Sequence, residues 1–407
     1  MPSTPIKLPR IAAMILAGGR VGELSVLTLR RPKSALPFGG HFRVIDFALS
    51  NLMRAGINNV GILSQYRPGS LIDHVGIGEG WDFIGLDRGA KILPPFRGAE
   101  ASDWYKGNAD AVYQNLNYIR DQRAEVVLIL SGDHIYRMDY RELVRTHLER
   151  GADMTIAVKR MGHHERFGYA TLDSSGRVLA YEEKPTLPRS DLASLTIYAI
   201  NTGPLVQVLE GLAGNPQVEF GQDVIPRMLA GYRVQGFVFD GYWAYTRTVN
   251  AYYQAHQDLL ARRIDLDEWG VRTNLQEGGV AEQPPARVTG SSEVRNSFLS
   301  AGCEIEGTVT GSVLSPGVRV EKGASVINSL LFHRCVVQKG ASVCLTIADK
   351  GVSIGTNARV GPSPGEAADP VAALARFPIT LLGKECRVAP GAHVEPGSEI
   401  HPEAIRT

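Results

Sequence analysis

Short apolar runs alternate with segments of helical periodicity between residue 11 and about residue 250. The apolar runs predict β-strands at residues 12–17, 59–64, 126–130, 154–158 and 177–181. The amphipathic segments predict α-helices at residues 44–55, 110–121 and 140–150. Strands that alternate with helices form mostly parallel sheets that are covered on both faces. The pattern therefore predicts an α/β domain whose ligands bind beyond the carboxyl ends of the strands.

The pattern changes after a stretch rich in Gly, Pro, Glu and Gln. Beyond it, apolar positions recur every six residues, in one series at Leu314, Val320, Val326 and Phe332 and in a second at Val318, Ala324, Leu330 and Val336. Such a repeat predicts a parallel β-helix whose coils stack on one another, and an irregular β-sandwich is the less favoured alternative. We expect a first domain at residues 1–261, a linker at residues 262–290 and the β-helix at residues 291–407.

Composition and charge exclude several functional classes. The 43 basic and 42 acidic residues nearly cancel, which argues against a nucleic-acid or membrane surface. The four cysteines are scattered through the last third of the chain and predict thiols in a reducing compartment, not a disulfide set or a zinc site. No apolar run approaches membrane-spanning length. We therefore expect a cytoplasmic protein with neither a membrane nor a nucleic-acid partner.

A glycine-rich turn follows the first predicted strand. Gly18 and Gly19 free the backbone for close approach to a ligand, and basic residues follow at Arg20, Arg30 and Lys33. Backbone N–H groups and cations together satisfy phosphate oxygens, so this arrangement suits a nucleoside triphosphate. The alternative is a structural turn followed by a solvated basic loop.

Two acidic residues lie at the predicted ends of a strand and a helix, where a carboxylate can bind a metal ion or interact with a helix dipole. Asp133 follows the strand at residues 126–130, where a carboxylate can hold Mg²⁺; alternatively, it caps the next helix. Asp110 lies in the first turn of a predicted helix and suits the positive end of its dipole, with Asn108 as the predicted N-cap.

The motif LAGG at residues 16–19 and the run RPKSALPFGGHFRVIDFALSN at residues 31–51 resemble the glucose-1-phosphate adenylyltransferases, or ADP-glucose pyrophosphorylases. The similarity extends to about residue 260 and more loosely beyond it. The resemblance implies a Rossmann-like nucleotidyltransferase domain with a mostly parallel mixed sheet, then a left-handed parallel β-helix used for subunit contacts and allosteric communication. It also implies that ATP and glucose 1-phosphate form ADP-glucose and pyrophosphate with Mg²⁺, for glucan synthesis of the glycogen or starch type.

The resemblance assigns roles to individual residues. The catalytic positions are Asp133, which would bind the metal, Lys33 and Arg20. The nucleotide-binding positions are Leu16, Ala17, Gly18, Gly19, Gly107 and Asp110. The sugar-phosphate positions are Lys184, Glu183, Gly168, Tyr169, Ser194 and Glu219. Basic positions that bind phosphorylated activators in the family are Arg30, Arg31 and Arg43, which implies an anionic metabolite as effector; a solvated basic loop is the alternative.

The chain departs from the family motifs at reactive positions. The family's G-T-R is Val21-Gly22-Glu23 here, so an acidic residue replaces a phosphate-binding arginine. Tyr245 stands where the family has the second metal-binding aspartate. Three milder departures are Asn108 for Thr, Thr196 for Gly and Glu219 for Asp. From Val21, Glu23 and Tyr245 we expect weak turnover by this chain alone.

These departures leave two functions of different class open. The chain is either an active adenylyltransferase or a non-catalytic regulatory subunit that pairs with a catalytic paralogue. An oligomer is expected in both cases because a β-helix exposes coil ends that need covering. The resemblance implies a tetramer, either homomeric or heteromeric. An acyltransferase function of the β-helix is disfavoured because no catalytic histidine motif stands out there.

Overall fold

The computed structural model describes residues 8–19, 22–85, 88–96 and 104–406, except for the side chains of residues 277 and 278. The chain forms two compact units. The first comprises Met1–Gly19, Phe47–Pro68 and Val75–Trp243, and the second comprises Arg20–Asp46, Gly69–His74 and Ala244–Thr407. Within the described ranges, every helix is too short or too polar to cross a membrane. The predicted boundaries at residues 261 and 290 stay a prediction.

A mixed β-sheet forms the centre of the first unit. Its strands are β1 Ile11–Leu16, β2 Asn59–Leu63, β3 Gly89–Leu93, β4 Val126–Ser131, β5 Met154–Arg160, β6 Gly168–Leu172, β7 Val178–Glu183, β8 Leu192–Asn201 and β9 Val234–Val238. Their order is β7-β6-β8-β4-β1-β2-β3, and β5 pairs with both β8 and β9. β3, β2, β1 and β4 are parallel neighbours, whereas β8 runs antiparallel to β4 and β5. The predicted α/β fold with a mixed sheet is confirmed.

The register of β1 determines where the loops converge. Leu16 pairs with Leu63 of β2 on one side and with Ser131 of β4 on the other. All three strands end at this level, so the segments that follow them emerge at one edge of the sheet. β1 and β4 are almost wholly buried, which explains why both read as continuous apolar runs instead of alternating ones.

The helices of the described residues include those predicted at residues 44–55 and 140–150, with small differences at their ends. They are α1 Ile45–Ala55, α2 Gly69–Val75, α3 Asn108–Gln114, α4 Leu116–Asp121, α5 Tyr140–Glu149, α6 Thr202–Glu210, α7 Ile225–Gly231, α8 Val249–Leu260 and α9 Pro370–Arg376. The single helix predicted at residues 110–121 is wrong, because Asn115 separates α3 from α4. The Asn115 amide donates to the carbonyl of Ala111 and so competes with the helical backbone.

The second unit contains a parallel β-helix of three sheets. The first sheet stacks Arg287–Val288, Glu304–Ile305, Arg319–Val320, Val336–Val337, Ser353–Ile354, Arg387–Val388 and Ile405–Arg406. The second stacks Glu293–Arg295, Thr308–Thr310, Ser325–Ile327, Ser342–Cys344, Arg359–Val360 and His393–Val394. The third stacks Phe298–Leu299, Val313–Leu314, Leu330–Leu331, Thr346–Ala348, Thr380–Leu382 and Glu399–Ile400. Helix α9 interrupts the coils between the second and third sheets, as the Pro- and Ala-containing sequence there predicts.

The six-residue repeat marks only part of the β-helix core correctly, because Val336 is half-buried and its neighbour Val337 lies in the core instead. Leu314, Val320 and Val326 are all at most 1 % exposed. All four cysteines are buried free thiols in this unit, in agreement with the prediction that they form no disulfide set. Burial raises the pKa of Cys303 to about 11, which keeps this thiol protonated and unreactive at neutral pH.

An early segment of the chain, residues 22–46, belongs to this second unit. The Ser315 hydroxyl donates to the Gly40 carbonyl at 2.6 Å, and the Arg31 guanidinium is ion-paired with Asp349 in the interior. In α8 of the same unit, the Tyr253 hydroxyl donates to the Asn328 carbonyl at 2.9 Å. The segment that carries Lys33 is therefore held by the C-terminal part of the chain.

Candidate functional site

The glycine turn after β1 lies against the loop that follows β2. The Ala17 N–H donates to the Leu63 carbonyl at 2.9 Å, and the Tyr66 N–H donates to the Gly18 carbonyl at 3.2 Å. A Cβ atom at Gly18 would lie 3.2 Å from the Leu63 carbonyl oxygen, whereas one at Gly19 would meet nothing within 4 Å. Gly18 is therefore required for close backbone approach, and Gly19 is exposed at the edge of the sheet.

Asp133 lies beside this turn because its strand pairs with β1. The Gly132 N–H donates to the Leu16 carbonyl at 3.1 Å, and a Cβ atom at Gly132 would lie 2.9 Å from Ile15 Cγ2. The Asp133 carboxylate is wholly buried and accepts a hydrogen bond from the Ser131 hydroxyl. Its Oδ1 lies 3.3 Å from Nε2 of His134. The structure thus brings Leu16, Ala17 and Gly18 close to Asp133, which lies far from them in the sequence.

The donor set fits a metal ion that is held partly by substrate. Within the described residues, no group of three His, Cys, Asp or Glu side chains is arranged to bind a metal. Mg²⁺ needs no such cage, since one or two carboxylates together with substrate phosphates and water complete its shell. The Asp133 carboxylate would offer such an ion one hard oxygen ligand. Tyr245 adds no carboxylate, and its ring lies 5.6 Å from the Arg247 guanidinium.

Helix α3 begins with a close contact between backbones. Gly107 has φ of 132°, and a Cβ atom there would lie 2.2 Å from the Val218 carbonyl oxygen, so only glycine fits. Gly107, not Asn108, occupies the N-cap position, and the predicted Asn108 cap is wrong. The Asn108 side chain instead accepts a hydrogen bond from the Phe220 N–H. Asp110 accepts from the Lys106 N–H at 2.8 Å and thereby closes the first turn of the helix.

Glu183 contacts several of the residues that are predicted to bind the sugar phosphate. The sequence pattern predicts that the strand ends at residue 181, before the Glu182-Glu183 pair, but β7 continues through Glu183. The Tyr181 hydroxyl donates to Glu183 Oε2 at 3.1 Å, and Lys184 Nζ lies 3.5 Å from Oε1. The Lys184 side chain is 55 % exposed, so its ammonium can reach a ligand.

Two glycines make room for the Glu183 carboxylate. A Cβ atom at Gly221 would lie 2.1 Å from Glu183 Oε2, and one at Gly168 would lie 2.8 Å from the same oxygen. Family motifs in the sequence indicate Gly168 but assign no role to Gly221 or Tyr181. Tyr181 was detectable as the residue two positions before Glu183, on the same face of the strand.

The remaining sugar-side residues have different environments. Tyr169 is 1 % exposed, and its hydroxyl accepts from the His164 N–H at 2.8 Å, which is an anchoring contact within the unit. Ser194 is buried, and its hydroxyl oxygen has no hydrogen-bond partner among the described residues. Burial raises the pKa of Tyr198 in the same strand to about 12. Thr196 has φ of 54° at a register shift between β8 and β5. A β-branched residue in the left-handed region is strained, and such strain often marks functional sites.

The predicted phosphate and effector cations belong to the second unit, where the basic side chains have partners. Lys33 is 8 % exposed. Arg31 is paired with Asp349, and Arg30 lies 2.9 Å from Glu403. Arg43 donates to the Ser70 carbonyl at 2.7 Å. Glu23 is exposed, while Arg20 and Val21 lie outside the described residues.

Comparison with known proteins shows which family the chain resembles. Residues 12–262 match the family model described as "Nucleotidyl transferase", and residues 284–380 match "GlmU-like, C-terminal hexapeptide", the repeat of left-handed β-helices. A glucose-1-phosphate adenylyltransferase of Thermotoga neapolitana is 45 % identical over 326 residues, or 78 % of this chain and 76 % of the relative. One from Bacillus mycoides is 40 % identical over 343 residues, or 82 % of this chain and 90 % of the relative.

Proposed function

The chain belongs to the glucose-1-phosphate adenylyltransferase family, and we propose that it transfers the adenylyl group of ATP to glucose 1-phosphate. In this reaction, an oxygen of the sugar phosphate attacks the α-phosphorus of ATP. The bond between that phosphorus and the β-phosphate oxygen breaks, and pyrophosphate leaves with the electron pair. The products are ADP-glucose and pyrophosphate.

The observation that carries this proposal is the position of Asp133. Its wholly buried carboxylate lies at the carboxyl edge of the sheet, beside the glycine turn of Gly18. A buried, ionised carboxylate needs compensation by a cation or by hydrogen bonds. We propose Mg²⁺ as that cation, with Asp133 and substrate phosphates as its ligands; when bound, it neutralises charge that develops at the α-phosphate.

Different residues of the chain are assigned to different parts of the two substrates. We assign Gly18 and Gly107 to the nucleotide side: a Cβ atom would lie 3.2 Å from the Leu63 carbonyl oxygen at Gly18 and 2.2 Å from the Val218 carbonyl oxygen at Gly107, so both backbones pack tightly against neighbouring loops. Lys184 presents an exposed ammonium to the phosphate of the sugar. Glu183 offers acceptor oxygens to sugar hydroxyls, and the Tyr181 hydroxyl orients its carboxylate. We assign Lys33 and Arg20 to the leaving pyrophosphate.

A direct assay tests the proposal. The purified chain is incubated with ATP, glucose 1-phosphate and Mg²⁺, and both pyrophosphate and ADP-glucose are measured. We expect the two products to form in equimolar amounts. In Asp133→Asn, the rate should fall by at least about 100-fold, because a neutral amide does not balance the positive charge of the metal ion as a carboxylate does. Folding of the variant is checked by its melting temperature. A wild-type chain without product, tested alone, would contradict the proposal.

Regulation and assembly extend the proposal. We propose an oligomer, since the end strands Arg287–Val288 and Ile405–Arg406 each pair with one neighbouring strand among the described residues and leave the other edge open. The tetramer is proposed from the family resemblance. An anionic effector at Arg30, Arg31 and Arg43 remains a proposal from the resemblance. Such a ligand would have to compete with Asp349 and Glu403 for two of these guanidinium groups.

A further inference from the structure

Two reciprocal hydrogen bonds join the start of α3 to the turn at residues 218–220. The Phe220 N–H donates to the side-chain oxygen of Asn108 at 2.7 Å. The Asn108 N–H donates to Glu219 Oε2 at 3.2 Å. Each residue thus satisfies a backbone amide at the other residue's segment.

Both amides belong to the first turn of a helical element. Asn108 is the first residue of α3, whose N-cap Gly107 has no side chain. Phe220 is the first residue of a π-helical turn, Phe220–Val224, which continues into α7. Amides in a first turn have no partner within the helix. The side chains of Asn108 and Glu219 therefore cap each other's elements, and π-helical turns are frequent at functional sites.

The backbones of the two segments are also in contact. The Ala109 and Asp110 N–H groups both donate to the Val218 carbonyl, at 3.1 Å and 3.3 Å. A Cβ atom at Gly107 would collide with the same carbonyl oxygen. The two segments are therefore joined by backbone as well as side-chain hydrogen bonds, and the side-chain pair is the part of this contact that mutation can alter.

The two residues are the positions at which both segments depart from the family motifs. Asn108 replaces a threonine and Glu219 replaces an aspartate, and each replacement has a longer side chain. The extra methylene of Glu219 carries its carboxylate to the Asn108 amide. The extra atom of Asn108 carries its carbonyl oxygen to the Phe220 amide. The two departures are therefore partners in space, although 111 positions separate them.

We propose that Asn108 and Glu219 form a reciprocal clamp that couples the nucleotide side of the site to the sugar-phosphate side. The inference rests on the proposed function. One segment carries Gly107 and Asp110, which are assigned to the nucleotide. The other leads to Gly221, against which the Glu183 carboxylate packs. Both clamp residues are positioning residues: Glu219 acts through the Asn108 amide and is not itself the sugar ligand that the resemblance implies.

A clamp and a sugar ligand predict opposite orders of the Glu219 variants. Glu219→Gln keeps the length and an acceptor oxygen, so the clamp persists and we expect both KM values to rise less than in Glu219→Asp. Glu219→Asp keeps the charge but is too short to reach the Asn108 amide, so we expect the KM of both substrates to rise about tenfold. A carboxylate that binds sugar directly would instead tolerate aspartate and lose only glucose 1-phosphate affinity with glutamine.

A double-mutant cycle tests the coupling. Asn108→Thr and Glu219→Asp are measured singly and together, at matrices of ATP and glucose 1-phosphate concentration, to obtain kcat, both KM values and the effect of each substrate on the other's affinity. We expect each single variant to lose about tenfold in kcat/KM and the double variant to lose far less than the product, because both hydrogen bonds join the same two segments and loss of either one already releases the clamp. The matched control is Gln217→Ala, whose exposed amide contacts the other oxygen of Glu219 at 3.3 Å and should leave all constants unchanged.

The outcomes separate this inference from the proposed function. An active wild type with additive single losses, or with Glu219→Gln impaired for glucose 1-phosphate alone, would overturn the clamp and leave the proposed function standing. A wild-type chain that neither turns over nor binds ATP and glucose 1-phosphate in calorimetry would overturn both. Melting temperatures of all variants exclude misfolding as the cause of a loss.

Discussion

Arg31 and Asp349 form a buried ion pair across 318 positions of the chain. One guanidinium nitrogen donates to both carboxylate oxygens, and the two side chains are only 5 % and 1 % exposed. The pair ties the segment before Lys33 to a coil of the β-helix. At the last coil, Ser25 donates to Glu399, and Arg30 pairs with Glu403. The second unit thus holds a segment that the family resemblance assigns to substrate and effector binding.

Removal of one member of the pair should destabilise the second unit strongly. Asp349→Ala leaves the Arg31 charge buried without its counter-ion, so we expect the free energy of unfolding to fall by about 3–5 kcal/mol. The exposed pair supplies the matched control: Glu403→Ala should cost no more than about 1 kcal/mol. Urea unfolding of the full chain measures both. Equal losses of unfolding free energy in the two variants would contradict the expectation that the buried ion pair matters more for stability than the exposed one.

Stability should fall on acidification because of His256. Burial lowers its pKa to about 4, and its Nδ1 lies 3.0 Å from the Tyr252 carbonyl while Nε2 accepts from the Gly39 N–H at 3.3 Å. An unfolded histidine has a pKa of about 6.5, so between about pH 6.5 and 4 only the unfolded state binds the proton. The contribution is therefore fully present above about pH 6.5 and is lost as the pH falls, by roughly 3 kcal/mol in total.

A variant isolates this histidine from the others. In His256→Gln, the dependence of unfolding free energy on pH between pH 4 and 6.5 should become shallower. The exposed His401→Gln is the control and should leave the slope unchanged. Buried His147, whose pKa burial also lowers, keeps part of the slope in both variants. An identical slope in wild type and His256→Gln would show that His256 is protonated in the folded state.

The space left by Gly221 should govern sugar-phosphate affinity. In Gly221→Ala, the new Cβ would lie 2.1 Å from Glu183 Oε2 and 2.4 Å from its Cδ, so the carboxylate must move away. We expect the KM for glucose 1-phosphate to rise about tenfold or more, with a smaller effect on ATP. Gly203→Ala in α6 is the control, since a Cβ there meets nothing within 4 Å and alanine favours helix. Initial rates over both substrates decide the result, and an unchanged KM would remove Glu183 from the sugar site.

Restoring the family residues at the departures should raise the rate. Glu23→Arg adds a phosphate donor, Val21→Gly frees the loop, and Tyr245→Asp adds a hard oxygen ligand. One unit-charge contact at about 4 Å and an effective dielectric constant of about 20 is worth about 4 kcal/mol before solvent and salt reduce it. The single variants should gain little because these contacts act together, and the triple variant should gain at least about tenfold in kcat/KM.

The same series contains its own control. Asp133→Asn added to the triple variant should abolish the gain, because the restored contacts depend on the metal that we assign to Asp133. ADP-glucose formation is measured for each variant under one set of conditions. A wild-type chain that already matches the triple variant would show that Glu23 points away from the phosphates.

Local patterns in the sequence determined the fold class and part of the site. The buried runs of β1 and β4 predict parallel strands, and parallel pairing brings whatever follows them to one edge. The sequence alone therefore predicts that Asp133 and the glycine turn lie at the same edge of the sheet. The six-residue repeat likewise predicts the β-helix, because every sixth side chain points into the same core. Such patterns depend on residues that are close together in the sequence, and each pattern is formed by many residues at once.

The tertiary structure alone decided which polar residues meet. No pattern in the sequence singles out Asp349 as the partner of Arg31, or Asn108 as that of Glu219, because many other charged and polar residues could have paired with each. Their pairing depends on how distant segments pack, and each contact involves only one or two hydrogen bonds. Gly221 shows the same limit: its role follows from the Glu183 carboxylate at the end of β7, which packs against the π-helical turn that contains Gly221. A glycine in the sequence indicates that the backbone there is free to adopt unusual conformations. Only the packed structure shows which neighbouring group occupies the space that a side chain would fill.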